Sequence, residues 1–176
     1  MSGTEDSSNS WVDPRQVDPL VVGRVIGDVV DMFVPSCNMS VCYGSKHLTN
    51  GCEMKPSTAA DPPEVQISGS AEHLFTLVMV DPDAPSPSAP PCGSTIVVDV
   101  PGGTSPSEGK EVVGYMGPKP PVGMHRYVMV VYKQKGELKK VVEPPASRAH
   151  FNTRNFAEQF DLGLPVAAFY FNSQKE

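Results

Sequence analysis

Two carboxylates and one imidazole carry the chemistry for which this chain can be read. Asp81 and Asp83 stand two residues apart in Asp81-Pro82-Asp83-Ala84-Pro85-Ser86-Pro87-Ser88. His125 stands in Gly123-Met124-His125-Arg126-Tyr127, where a stretch rich in glycine and proline runs into an apolar segment. A carboxylate beside an imidazole orients the ring and favours its charged form. The resulting N–H donors, with Arg126 and loop amides, suit an oxyanion such as phosphate. Paired carboxylates alone would repel an anion, so such a pocket depends on the histidine. The same side chains also suit metal ligation or the acid/base pair of a hydrolase. That chemistry needs a nucleophile or a further ligand, and the nearby Ser86 and Ser88 have no adjacent base by spacing. Two plainer readings stand beside these. Asp81 and Asp83 cap a tight turn, and His125 is a hydrogen-bonded structural residue at a strand edge.

The elements that must position these groups are strands. Leu74-Phe75-Thr76-Leu77-Val78-Met79-Val80 contains no charge and reads as a strand buried on both faces. Pro82, Pro85 and Pro87 each remove a backbone donor, so the sheet stops there and a stiff loop presents the two acids. Arg126 to Gln134 reads as a second buried strand. If it neighbours residues 73–80, His125 reaches Asp81 or Asp83. Further strands are predicted over Cys37–Tyr43, Leu48–Met54 (with an Asn50-Gly51 turn signal inside it), Val65–Ser68, Ile96–Val100, Leu138–Val142 and Val166–Asn172. Pro101 to Gly123 reads as one long loop, a length that in compact domains is usually functional.

Helices are predicted only near the ends. Val22, Val25, Ile26, Val29, Val30 and Phe33 mark one face of a helix from Pro19 to Phe33, capped by Asp18. Gly23 and Gly27 weaken it and allow two shorter pieces. Asn152 caps a short helix near 153–161, with Phe156 and Phe160 one turn apart and Gly163 after its end. Strand-dominated order with terminal helices predicts a mostly β (α+β) domain. It spans 17–176, after a polar, acidic tail at 1–16 that is expected to be disordered and holds the single tryptophan, Trp11.

Composition narrows the function classes. The chain has 176 residues, 19 prolines, 15 glycines and a net charge of −6. That balance argues against a direct grip on nucleic acid phosphates. No apolar run approaches a membrane span and no apolar leader opens the chain, so neither a span nor a signal peptide is expected. Cys37, Cys42, Cys52 and Cys92 form no CxxC spacing and are expected to be reduced thiols. No cofactor and no metal are called for.

Three stretches carry a resemblance: Asp81 to Ser88, then Pro101-Gly102-Gly103-Thr104, then Pro120-Pro121-Val122-Gly123-Met124-His125-Arg126-Tyr127. In this order they resemble the signature of the phosphatidylethanolamine-binding protein family. The segments 18–31 and 156–168 are similar to its plant branch, and the Pro101 and Pro120 motifs to its mother-of-FT-like subgroup. The resemblance covers residue 17 to the end. It implies a central antiparallel β-sheet, a smaller flanking sheet and short helices at the N- and C-terminal ends. It also implies a small pocket for phosphate or a phospholipid head group. Asp81, Asp83 and His125 match pocket positions, and Pro121, Arg126 and Tyr127 lie in or beside the matching motif.

By the same resemblance the protein is a non-enzymatic, monomeric signalling adaptor in cytoplasm and nucleus. It would join bZIP-type transcription factors and 14-3-3 proteins and regulate seed germination, flowering and abscisic acid or gibberellin responses. Glu72 and Glu108 stand where florigen-like members tend to carry basic or aromatic residues, which counts against direct 14-3-3 docking, although Lys133 keeps its charge. Protease inhibition occurs in distant members.

The chain departs from the family at one place. Between Ser88 and Ile96 the family carries a longer segment with an Arg-Glu pair and then His-Trp. Here the stretch is Ala89-Pro90-Pro91-Cys92-Gly93-Ser94-Thr95, with neither histidine nor tryptophan. Loss of one charged hydrogen bond, roughly 1.5–3 kcal/mol, lowers phosphate affinity by about one to two orders of magnitude. A weakened or open pocket on a folded domain is therefore expected.

Overall fold

The structure, a computed structural model, describes residues 18–83, 95–120, 122–138 and 151–176. The N-terminal tail with Trp11, the segment 84–94 with Cys92, Pro121 and nearly all of the strand predicted at Leu138–Val142 lie outside the described residues.

Nine strands are described. They are β1 (Met39–Tyr43), β2 (Lys46–His47), β3 (Cys52–Glu53), β4 (Glu64–Ile67), β5 (Leu74–Val80), β6 (Thr95–Pro101), β7 (Lys110–Val113), β8 (Met124–Lys133) and β9 (Ala167–Gln174). Six make the central sheet in the order β3-β9-β8-β5-β6-β7, and β2-β1-β4 make a smaller one. All pairings are antiparallel except that of the two-residue edge strand β3, which runs parallel to β9. The architecture is the expected mostly β one.

Burial on both faces explains the uncharged run. On β5, Phe75, Leu77 and Met79 face a core shared with Val41, Tyr43, Val65 and Ile67 of the small sheet. Val78 and Val80 face the opposite core, with Leu20, Val25 and Val29 from the N-terminal segment and Phe156 and Ala157 from the C-terminal helix. β8 alternates likewise, with Tyr127, Met129 and Val131 in the first core and Val128, Val130 and Tyr132 in the second. A strand covered on both sides shows no polar alternation.

Strict alternation fails at one point on β6. Val97 and Val100, three residues apart, both enter the first core. The pairs Phe75↔Val100 and Leu77↔Val97 leave an extra residue on β6, a bulge, and Asp99 adopts φ 55° there. Buried Gln134 holds it. Its Oε1 accepts from the Asp99 amide at 2.9 Å and the Thr76 hydroxyl at 2.7 Å, and its Nε2 donates to Asp99 Oδ1 at 2.7 Å.

Three predicted elements differ in detail. The helix from Pro19 to Phe33 is two single turns, α1 (Pro19–Val22) and α2 (Val25–Asp28). Arg24 is left-handed at φ 61°, and Ile26 and Gly27 leave helical geometry, so the glycines divide the segment as their low propensity allows. Val22 is exposed, whereas Val25, Val29, Val30 and Phe33 are buried. The strand predicted at Leu48–Met54 turns at Asn50-Gly51, where the Gly51 amide donates to the Tyr170 carbonyl at 2.9 Å. The long loop contains β7, an edge strand whose charged Lys110 and Glu111 hid it, and a 3-10 turn at Pro106–Glu108. The C-terminal helix α3 (Thr153–Gln159) is capped by the Asn152 side chain, as read from the sequence. Gly102 has a packing reason of its own, since a Cβ there would collide with the Ser70 carbonyl.

Candidate functional site

The site forms where β5 leaves the sheet and β8 enters it. The two strands pair antiparallel with Val80 opposite Val128. Continuing that register sets the residues just after Val80 against those just before Val128. Residues separated by 44 positions thus become neighbours: His125 Nδ1 lies 2.7 Å from Asp81 Oδ2. The imidazole is 5% exposed and the Asp81 carboxylate fully buried. Gly123, at φ 74°, makes the tight approach to β8 in a conformation that residues with a Cβ rarely adopt.

Asp81 does both things that spacing allowed. Its Oδ2 meets the imidazole, and its Oδ1 accepts from the Asp83 amide at 2.8 Å, closing the turn. The other ring nitrogen, Nε2, sits 3.2 Å from the Val122 carbonyl. Both nitrogens of His125 therefore face oxygen acceptors of the protein itself. An incoming anion must take the place of one of these oxygens.

Asp83 is turned to a different partner. Its Oδ2 accepts from the Arg126 amide at 2.8 Å and Nε at 2.9 Å, and its Oδ1 accepts from Nη2 at 2.8 Å. This fork geometry is the strong form of an arginine–carboxylate pair. Burial pushes the Asp83 carboxyl upward, but the Arg126 hydrogen bonds and charge outweigh it and hold the group below its ordinary value. The Asp83 bonds in turn hold the guanidinium above its ordinary value. Arg126 Nη1 goes on to the Gly23 carbonyl and Asp28 Oδ2, both at 3.0 Å, and so ties the site to α1 and α2. Its positive charge is committed to two carboxylates rather than held out toward an anion.

Tyr127 points to the opposite side of the strand from Arg126. It is buried in the core between the two sheets and stacks on Phe171, ring centroids 5.5 Å apart. Pro121, Ser86 and Ser88 lie outside the described residues. Asp81, Asp83, His125 and Arg126 thus come together, and Tyr127 is directed into the core. Among the described residues no group of three or more His, Cys, Asp or Glu side chains is arranged to hold a metal.

Sequence reading missed an apolar cavity of about 450 Å³ on the small-sheet side of β5, walled by Leu77, Met79, Val97 and Met129, with Tyr115 and Glu111 beside it. It does not include His125 or the two acids. Only pairing of the two sheets creates it, so alternating hydrophobicity gave no signal. The Tyr115 hydroxyl bonds to that of Tyr43 at 2.7 Å, and burial pushes it up to about 12.

A six-stranded sheet with a small sheet packed on one face is the fold of solved phosphatidylethanolamine-binding proteins. The structure matches the carboxypeptidase Y inhibitor solved with its cognate proteinase, TM-score 0.74 at 24% identity, covering 96% of this chain and 100% of that one. It also matches the phosphatidylethanolamine-binding protein of Plasmodium vivax, TM-score 0.71 at 17% identity, covering 90% and 96%. These two are likenesses of fold. The sequence makes the relation direct: the family model described as phosphatidylethanolamine-binding protein matches residues 44–171, and the chain belongs to that family. Among its curated relatives, Protein MOTHER of FT and TFL1 homolog 2 of Oryza sativa subsp. japonica is 56% identical, covering 92% of this chain and 95% of the relative. Protein TERMINAL FLOWER 1 of Arabidopsis thaliana is 48% identical, covering 92% and 93%.

Proposed function

We propose that this protein is a non-enzymatic regulator of plant developmental transitions, flowering and seed germination, working in cytoplasm and nucleus as a monomer that binds bZIP-type transcription factors. Its anion or phospholipid head-group pocket at His125 is weakened. The observation that carries the reading is the 56% identity to the rice protein, sustained over 92% of the chain. A relative named TERMINAL FLOWER 1 supports the developmental role. The geometry of the site supports action by surface binding. Both nitrogens of His125 have protein acceptors, and Asp83 and Arg126 bind each other. His125 faces a carboxylate and a carbonyl, neither of them a nucleophile, so the hydrolase reading gains nothing from this arrangement. Glu72 and Glu108 are exposed, which counts against direct 14-3-3 docking.

Pull-down of the full chain against a panel of seed bZIP factors tests the partner. Saturable capture of at least one factor is expected, and failure with the whole panel overturns that reading. Phosphate titration followed by the NMR shifts of His125 tests the pocket. Saturation in the millimolar range is expected, and micromolar binding contradicts a weakened pocket.

A further inference from the structure

The outer face of the small sheet carries a second constellation, unconnected with His125. On β1, Val41 and Tyr43 point into the core, so Ser40 and Cys42 point outward. The hairpin register pairs Cys42 with His47 of β2, and the next strand pairs it with Glu64 of β4. Directly paired residues share a face of the sheet, so imidazole, thiol and carboxylate stand in one row. Within that row Cys42 Sγ and His47 Nδ1 are 3.0 Å apart. Cys42 is partly exposed and His47 exposed. The other described cysteines, Cys37 and Cys52, are free thiols at similar burial.

A thiol within hydrogen-bond reach of an imidazole is the arrangement that activates sulfur as a nucleophile. We propose that Cys42, activated by His47, is a site of mixed-disulfide modification by low-molecular-weight disulfides. Nδ1 takes the thiol proton. The sulfur attacks one sulfur of the reagent, forming the protein–reagent S–S bond as the reagent's own S–S bond breaks. The leaving thiolate takes the proton from the imidazolium. Cys42 is oxidised, and the departing half of the reagent is reduced to a thiol. The 3.0 Å approach of Cys42 Sγ to His47 Nδ1 lets the proton pass within the pair. The short hairpin holds both groups, and its outer face leaves the sulfur open to attack.

The test treats the reduced full chain with glutathione disulfide and follows each cysteine by peptide mass mapping. Cys42 is expected to form the mixed disulfide several-fold faster than Cys37 and Cys52. His47→Ala is expected to slow Cys42 by about tenfold, a modest loss for removal of a general base, without changing the other two, and added imidazole to restore part of the rate. Circular dichroism verifies that the variant is folded. A merely loosened hairpin would raise the rates at all sites. Equal rates at Cys37, Cys42 and Cys52, or a His47→Ala variant whose Cys42 reacts as fast as before, overturns the proposal.

Discussion

The Asp81 side chain has no solvent contact, and among the described residues the hydrogen bonds that reach its carboxylate are those of His125 and the Asp83 amide. Truncation at His125→Ala removes the first and leaves a buried acceptor oxygen without its donor. A loss of about 1–3 kcal/mol is expected, read as a lower urea midpoint. Arg126 is held differently, by a planar fork onto Asp83 and a further contact with Asp28. Lysine cannot reproduce that fork, so Arg126→Lys should also destabilise, and by more than a surface substitution does. The pair sets a pH dependence whose sign is fixed. The folded-state value of Asp83 lies below its ordinary 3.8, so its stabilising contribution is present above that value and is lost as pH falls through the lower folded-state value. Arg126→Met should flatten that acid limb of the stability profile. An unchanged limb would show that the pair does not couple to folding.

At the scale of elements, the β6 bulge decides how two cores are filled from one strand. Asp99 at φ 55° lets Val97 and Val100 share a core, and Gln134 Oε1 accepts from the Asp99 amide at the bulge and from the Thr76 hydroxyl. Gln134→Leu keeps the volume but orphans the Thr76 hydroxyl and the Asp99 amide. A loss of about 1–3 kcal/mol per orphaned group is expected in chemical denaturation. Gly102→Ala is expected to destabilise as well, because the Ser70 carbonyl it meets belongs to backbone and has no rotamer by which to move away. The β5–β8 pairing was the condition set for His125 to reach the acids, and it carries the His125–Asp81 contact. Strand β7 was not anticipated, because edge strands with charged residues lack the alternation by which strands are recognised.

For the whole molecule, two cores on opposite faces of one sheet leave the loops at the strand ends and the exposed sheet face as the places where partners and reagents can reach it. Family membership follows from residues 44–171, and the bZIP partner is the part open to the pull-down. The sequence by itself determined the strand-rich class, the two buried strands, the breakers that end them, the Asn152 cap and the side chains worth watching. These are local properties: apolar content, proline positions and capping chemistry act within a few residues along the chain. Only the tertiary structure decided that His125 Nε2 meets the Val122 carbonyl, that Asp83 is taken up by Arg126, that Tyr127 turns into the core, and that Cys42 stands against His47. Each of those depends on register between strands and on a few left-handed backbone angles. Hydrogen bonds form or fail over less than an ångström, a distance that spacing along a chain does not specify.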